Sequence, residues 1–320
     1  MKTVSDYMSK SLISIDCEES VLAAVRLMKA KSVSALLIMQ EKNTVGIFTE
    51  RDILNKIDFS RLEQLPYTKI KDLMSGNLKM ADLNDSYIHI METMQKNKIR
   101  HMPVVDEGFI RGMISLRDLL DHYYENMENL LEQTVASLAS AVEKRDPYTA
   151  GHQDRVKQLA CAIGKELHLT DKEICGLRMA AVIHDIGKLY IPAEMLTKPG
   201  LLTKEELSLI KIHPQVGYDI LKGIEFPWPI AEIVYQHHER LDGSGYPRGL
   251  QEKEILLESK IVAVADVIEA MSTNRPYRPS IGMNKALQEI QDHKKTLFDA
   301  SVVDACIKIL KRDKLFWKVG

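Results

Sequence analysis

A shift of 66 residues lays Val4-Ser5-Asp6-Tyr7-Met8-Ser9 over Ile70-Lys71-Asp72-Leu73-Met74-Ser75. The same shift lays Gly46-Ile47-Phe48-Thr49-Glu50-Arg51-Asp52 over Gly112-Met113-Ile114-Ser115-Leu116-Arg117-Asp118, with no gap between the two stretches. The start of the chain is therefore one unit used twice, and any fold assigned to it has to serve both copies. Each copy carries an amphipathic segment (Val21 to Lys29; Tyr87 to Gln95), then a short apolar run (Ala35 to Met39; Met102 to Val105) and a second one (Val45 to Phe48; Ile110 to Ile114). That order predicts helix, strand, strand, helix. At the start of each last helix a hydroxyl residue and an acid stand three apart, Thr49 with Asp52 and Ser115 with Asp118. Spacing alone reads these as helix caps.

The repeat ends near residue 122 of 320, so a second domain is expected. With 45% hydrophobic and 28% charged residues, the chain can bury a sizeable core without metal or disulfide staples. Basic and acidic residues number 17 and 17 through His122 and 26 and 28 after it, so neither half is a glove for nucleic acid. No apolar run approaches the ~18 residues that cross a bilayer, and the first residues do not lead into a signal-peptide core, so a cytoplasmic chain is expected. Cys17, Cys161, Cys175 and Cys306 stand far apart with no CxxC pair, which predicts reduced, packed thiols.

Residues 1–122, with copies at about 1–58 and 67–122, resemble the tandem CBS module, an α+β pair. In that family the hydroxyl residue and the Asp of the G-h-h-[ST]-x-x-D ending contact the ribose of an adenine nucleotide. Both endings are intact here. The resemblance therefore implies Thr49, Asp52, Ser115 and Asp118 as nucleotide contacts, although the module also serves simply to dimerise. His89, His101 and His122 read as surface or packing residues.

After Leu116, the residues Leu119, Tyr123, Met127, Leu130, Thr134, Leu138 and Ala141 recur every three to four positions, with no proline or glycine before Pro147. One continuous connecting helix over 116–145 is predicted. Its apolar stripe either packs on the helix's own domain or forms a parallel dimer seam that passes sensor movement onward.

Beyond residue 146 several ionisable residues stand where a structural role is strained. His184-Asp185 ends the apolar run Met179-Ala180-Ala181-Val182-Ile183, which would bury both, and a buried charge or imidazole needs a partner. A metal ion is an economical one. Successive helical residues point roughly 100° apart, so an adjacent His and Asp can wrap one ion while the carboxylate reaches a second. Asp266 interrupts the core helix Ile261-Val262-Ala263-Val264-Ala265, and His237-His238 follows the helical stretch Ile230 to Gln236. His213 precedes Pro214, which predicts a junction before a new helix. His152 follows Thr149, a predicted N-cap, in the first turn of a helix running to about Leu167. Five His and two Asp suffice for two octahedral ions with open positions and exceed what one zinc needs. Lys188, one turn after His184, is placed either to hold a phosphate oxygen or to favour a helix C-terminus. His168 and His293 read as solvated helix-end residues.

The motifs stand in order as Arg145-Asp146-Pro147-Tyr148-Thr149-Ala150-Gly151-His152, His184-Asp185-Ile186-Gly187-Lys188, His213-Pro214, His237-His238-Glu239-Arg240-Leu241-Asp242-Gly243-Ser244-Gly245-Tyr246-Pro247, Ala265-Asp266 and Arg275-Pro276-Tyr277-Arg278. Residues 143 to about 312 thereby resemble the HD-GYP domain, the bacterial subgroup of HD phosphohydrolases that hydrolyses cyclic di-GMP. The resemblance implies an all-α fold for 143–320 and the metal ligands His152, His184, Asp185, His213, His237, His238 and Asp266, with Asp185 bridging. It implies iron or manganese as the metal. Some members place a Glu four residues before the first ligand histidine to support a third ion; Tyr148 stands there, so two divalent ions are expected.

Two such ions ~4 Å apart share a water and bring its pKa toward neutrality. Asp185 and Lys188 are then the catalytic residues, Lys188 neutralising a phosphoryl oxygen. Arg275 and Arg278 suit the second phosphate of a cyclic dinucleotide, or else a structural salt bridge. Gly243 and Gly245 permit a tight loop, and the resemblance sets Tyr246 on the substrate.

The chain thus reads as an α+β tandem CBS pair followed by an all-α HD-type helical domain. The expected function is a cyclic di-GMP phosphodiesterase yielding pGpG or GMP, controlled by a nucleotide-sensing CBS pair and acting as a cytoplasmic homodimer, with neither nucleic-acid polymers nor membranes as partners. Two other readings stay open, an HD phosphohydrolase for another nucleotide and an inactive module that binds a cyclic dinucleotide and signals.

Overall fold

The repeat folds as two three-stranded sheets of the same plan. In the first copy β1 (Ser14–Asp16) pairs parallel with β2 (Ala35–Gln40), which pairs antiparallel with β3 (Asn43–Thr49). In the second, β4 (Ala81–Asp82), β5 (His101–Asp106) and β6 (Phe109–Ser115) repeat that order. Register repeats as well: Leu36 faces Phe48 as Met102 faces Ile114, and the bulge between Ile38 and Met39 recurs between Val104 and Val105. The spacing predicts no strand at β1 or β4, because elements of three and two residues are too short to display alternation.

The computed structural model describes residues 3–145, 151–198, 200–273 and 280–312. They fall into two compact units, Met1–Glu128 and Asn129–Gly320. The first unit holds the helices α1 (Val21–Lys31), α2 (Glu50–Lys56) and α3 (Tyr87–Asn97), and the start of α4 (Leu116–Arg145). Val21, Ala24 and Met28 supply the buried face of α1 at helical spacing, as Ile90, Met91 and Met94 do for α3. Both helices stop at a left-handed residue, Ser32 (φ 52°) and Lys98 (φ 54°), whose N–H returns to the last turn.

The two copies exchange their leading segments. Val4 packs in the second copy's core with Ala81, Met102 and Ile114, whereas Ile70 packs in the first copy's core with Val21, Leu36 and Phe48. Backbone bridges Ser9 to Met113 and Ser75 to Ile47 hold the two crossings. Full burial of such an aliphatic side chain is worth about 1.5–3 kcal/mol, so neither core is complete without the other copy's leader.

Helix α4 contributes Leu119 to the first unit's core and Val135 and Val142 to the second's. The predicted stripe divides accordingly. Leu116 and Tyr123 pack with Leu119 on the second copy's core, but Met127, Leu130 and Leu138 are 46%, 56% and 42% exposed. The second core instead takes Leu131, Val135 and Val142, a neighbouring face of the helix.

Beyond the end of α4, the second unit's described residues form the helices α5 (His152–Glu166), α6 (Asp171–Ile183), α7 (Ala193–Leu196), α8 (Lys204–Ile210), α9 (His213–Leu221), α10 (Ile230–Gln236), α11 (Leu257–Ser272), α12 (Met283–Asp292) and α13 (Ala300–Arg312), joined by 3₁₀ turns and irregular loops. Val156, Leu159, Ala160 and Ile163 of α5 and Ile261, Val262, Val264, Ala265 and Ile268 of α11 form the centre of its core. Thr170 and Glu173 start α6 with a reciprocal capping box. The four cysteines are free thiols, and burial pushes Cys306 up to about 12. Among the described residues no helix is long and apolar enough to cross a membrane.

Candidate metal centre

Helix ends of the second unit meet at one place. His152 is the first residue of α5, behind Gly151 (φ 71°), which occupies the N-cap; Thr149, the predicted cap, lies outside the described residues. Helix α6 ends at Ile183, His184 closes it, and Asp185 (φ −94°, ψ 8°) leaves the helical path. It is this ending, rather than the angular step of a continuing helix, that separates the two side chains. His213 itself opens α9, one residue earlier than the following proline predicts. His237 closes α10 with His238 after it, and Asp266 lies within α11.

Gly187 explains how two of these elements come so near. A Cβ there would stand 1.9 Å from the His213 carbonyl oxygen, so only glycine lets the 3₁₀ turn Ile186–Tyr190 seat against the start of α9. The approach brings Asp185 Oδ1 to 3.4 Å from His213 Nε2.

The other Asp185 oxygen, Oδ2, lies 3.5 Å from His184 Nε2 and 3.8 Å from His152 Nε2. His152 Nε2 is also 3.5 Å from Asp266 Oδ1, and His213 Nε2 is 3.3 Å from His237 Nε2. Three sets of residues bring their donor atoms within 4.8 Å of one another: His213 with His237 and His238, His152 with His184 and Asp266, and His184 with Asp185 and His237. All seven residues singled out as ligands stand in this cluster.

The tautomers settle whether the cluster fits a cation. His184, His213 and His237 each place Nδ1 against a backbone carbonyl three residues back, Ala181 (2.8 Å), Ile210 (2.8 Å) and Val234 (2.6 Å). A carbonyl only accepts, so Nδ1 donates and Nε2 keeps its lone pair when the ring is neutral. Burial holds His213 near 4, against the pull of Asp185, and keeps His237 and His238 well below the usual imidazole value. His213, His237 and His238 are therefore neutral at pH 7, and His213 and His237 face each other through Nε2. His184 Nε2 is buried without a hydrogen-bond partner among the described residues. A centre lined with acceptors and short of donors fits a divalent cation.

Lys188 stands on the 3₁₀ turn, not on the face of His184 that spacing predicts, and its Nζ donates to Asp185 Oδ2 at 2.6 Å. Burial alone would raise the Asp185 carboxyl; the Lys188 ammonium beside it is the foremost charge that overcomes burial and holds the carboxyl well below the carboxylate range.

The loop after His238 brings Tyr246 back onto it, the rings stacked at 4.7 Å and the Tyr246 N–H donating to the His238 carbonyl at 3.2 Å. Buried Glu239 holds that loop by accepting from the N–H groups of Arg248 (2.8 Å) and Leu250 (2.9 Å). Gly245 is required where a Cβ would lie 2.4 Å from Arg240 N. Burial, reinforced by Asp266, raises the Tyr246 hydroxyl, so it stays protonated and able to donate.

Tyr148, Arg275 and Arg278 lie outside the described residues. Sequence reasoning missed Glu239 and Glu269, two carboxylates buried beside the cluster. Glu269 lies three residues after Asp266 in the same apolar helix, where a second acid in a core run was the available signal.

In the first unit Thr49 and Ser115 do cap. The Thr49 hydroxyl donates to Asp52 at 2.7 Å, and the Asp52 carboxylate also accepts from Ser75 (3.1 Å) and Lys56 (2.7 Å). The Ser115 hydroxyl donates to Asp118 at 2.6 Å. Thr49 and Asp52 border a cavity of about 320 Å³, and Ser115 borders one of about 950 Å³ that reaches Met28 and Arg100. Asp118 borders a third, of about 380 Å³, with Ser9 and His122. His101 is tied to Ser34 at 2.8 Å.

Comparison with known proteins agrees with this division. The HD domain family model matches residues 136–302, and the CBS domain model matches 4–58 and 70–125. The cyclic di-GMP phosphodiesterase response regulator RpfG of Xanthomonas campestris is 40% identical over 204 residues, 63% of this chain and 54% of that protein. A cyclic di-GMP phosphodiesterase of Thermotoga maritima is 38% identical over 222 residues, 68% of this chain and 60% of its own length. The 3'3'-cGAMP-specific phosphodiesterase 3 of Vibrio cholerae is 37% identical over 180 residues, covering 56% and 39% of the two chains. This chain thus spans about half the length of the curated relatives it matches. A solved CBS domain is 31% identical, covering 38% of this chain and 98% of that one with a TM-score of 0.37.

Proposed function

This chain belongs to the HD domain family, and from that premise we propose that it is a metal-dependent phosphodiesterase hydrolysing cyclic di-GMP to pGpG or GMP under the control of its CBS pair. The observation that carries the reading is the acceptor-lined centre in which imidazoles held through Nδ1 turn Nε2 inward around Asp185. His152, His184, Asp185, His213, His237, His238 and Asp266 would hold two divalent ions, iron or manganese. Such ions, when bound, supply electrophilic charge at the phosphate and make water reactive near neutral pH.

The chain's own groups do the rest. Lys188 offers its ammonium to a phosphoryl oxygen as negative charge builds there. Tyr246 keeps its hydroxyl protonated for a phosphate or guanine acceptor, and Arg275 and Arg278 clasp the second phosphate with guanidinium forks. In the first unit an adenine nucleotide contacts Thr49, Asp52, Ser115 and Asp118. The exposed Met127, Leu130 and Leu138 of α4 support a homodimer seam in a cytoplasmic protein.

The test is metal analysis of anaerobically purified protein alongside product chromatography. Asp185→Ala is expected to lose metal and turnover together, and Arg275→Ala to weaken cyclic di-GMP binding with metal retained. An Asp185→Ala protein of full activity would refute the assignment. Relatives named for 3'3'-cGAMP favour a second reading, in which that hybrid cyclic dinucleotide is the substrate. Faster turnover of it than of cyclic di-GMP by the same preparation would select that reading.

A further inference from the structure

Three histidines of the centre are aimed by helix ends. Ala181, Ile210 and Val234, whose carbonyls fix His184, His213 and His237, all lie in the last turn of a helix, α6, α8 or α10, where carbonyls lack intrahelical partners. His152 differs, because it opens its helix and its Nδ1 meets a side chain, the Glu269 carboxylate. That carboxylate is 1% exposed, its Oε2 on His152 and its Oε1 accepting from Arg155 Nε at 2.8 Å and from the Thr273 hydroxyl at 3.2 Å.

The pairing follows helical spacing on both sides. His152 and Arg155 are three apart on α5, and Asp266 and Glu269 are three apart on α11, so each helix presents two adjacent polar side chains within otherwise apolar faces. His152 meets Asp266 through Nε2 at 3.5 Å and Glu269 through Nδ1.

We propose that Glu269 is a positioning residue that fixes the His152 ring with Nε2 toward Asp185 and Asp266, and so sets the affinity of the ion held by His152, His184 and Asp266 but not of the ion held by His213, His237 and His238. Arg155 pairs with Glu269 through Nη2 at 2.6 Å, so the acid that meets His152 is one half of an ion pair. An acidic partner on the far nitrogen also makes Nε2 the more basic ligand. The inference rests on the two-ion reading above.

The test is titration of the full chain, stripped with chelator, with Mn²⁺ alone, followed by calorimetry and by the Mn²⁺ electron paramagnetic resonance signal. Wild type is expected to take two ions. Glu269→Gln, which keeps shape and loses charge, is expected to weaken one of them about 10- to 100-fold and leave the other unchanged, with the circular dichroism spectrum of the folded protein retained. Glu269→Ala is expected to do the same or worse, and where it fails to fold the Gln variant decides. Two ions bound at wild-type affinity by folded Glu269→Gln overturns the role, as does equal weakening of both. Wild-type protein that takes up no ion overturns the centre and the role together.

Discussion

Gly187→Ala tests how closely the fold and the centre depend on one another. Ordinary contact begins at 3.4 Å, so a methyl group placed 1.9 Å from the His213 carbonyl oxygen has to move off by about 1.5 Å. Nothing flexible can absorb this, because the Cβ would also lie 2.7 Å from Gly217 N, and both neighbours are backbone of α9. The 3₁₀ turn must therefore back away from α9, taking Asp185 away from His213, where Oδ1 and Nε2 are now 3.4 Å apart. Overpacking of this kind costs about 1–3 kcal/mol. At about 2–4 °C per kcal/mol for a unit of 150–250 residues, the melting temperature falls by roughly 2–12 °C. The chemical loss is larger in proportion, since a misplacement near 1 Å costs about 100-fold in rate. The assay pairs a thermal melt of metal-free protein with the rate of cyclic di-GMP hydrolysis in Mn²⁺. A variant that melts with wild type and retains its rate would show that the close approach does not hold the centre together.

The exchanged leaders predict that Ile70→Ala, at a side chain with no exposure, destabilises the first copy's core by about 2–5 kcal/mol, although Ile70 belongs to the second copy's sequence. Urea unfolding measures it, and a loss below about 1 kcal/mol would mean that the leader is dispensable. The low imidazole value of His213 predicts acid lability of metal-free protein. Its folded value of about 4 lies below the ordinary 6.5, so between these the unfolded chain binds more protons. The stability contributed by the neutral ring is complete above pH 6.5 and declines as pH falls toward 4. Each unit of displacement is worth about 1.4 kcal/mol, which makes this roughly 3 kcal/mol for His213, with His237 and His238 adding in the same direction. Unfolding midpoints of chelator-treated protein that stay flat from pH 7 to pH 5 would contradict it.

Much of the architecture was legible because it repeats or is apolar at a fixed period. The 66-residue offset shows in register, bulges and helix stops alike, down to Ser32 and Lys98 in the same left-handed conformation. What the offset cannot show is which copy a leader packs on, since Val4 and Ile70 are equally apolar and burial is indifferent to sequence distance. On α4 the sequence shows one stripe where the helix uses two faces, because a residue at helical spacing is apolar whether it enters Leu119's core or Val135's.

At the centre the ligand types were legible for a different reason: His184, Asp185 and Asp266 stand in runs too apolar to bury a polar group unaided. Position was less legible than identity. Spacing puts Lys188 on a helical face because nothing in the run Ile183-His184-Asp185-Ile186 announces that α6 stops, and the stop is what turns Lys188 onto Asp185. The partners behind the ligands were the least legible of all. A histidine aimed by a backbone carbonyl leaves no mark in the sequence, since every residue has that carbonyl, whereas one aimed by a side chain leaves an acid in a core helix. Glu269, one turn beyond Asp266, is such a mark, so a second buried acid at that spacing points to the ligand that lacks a helix end to hold it.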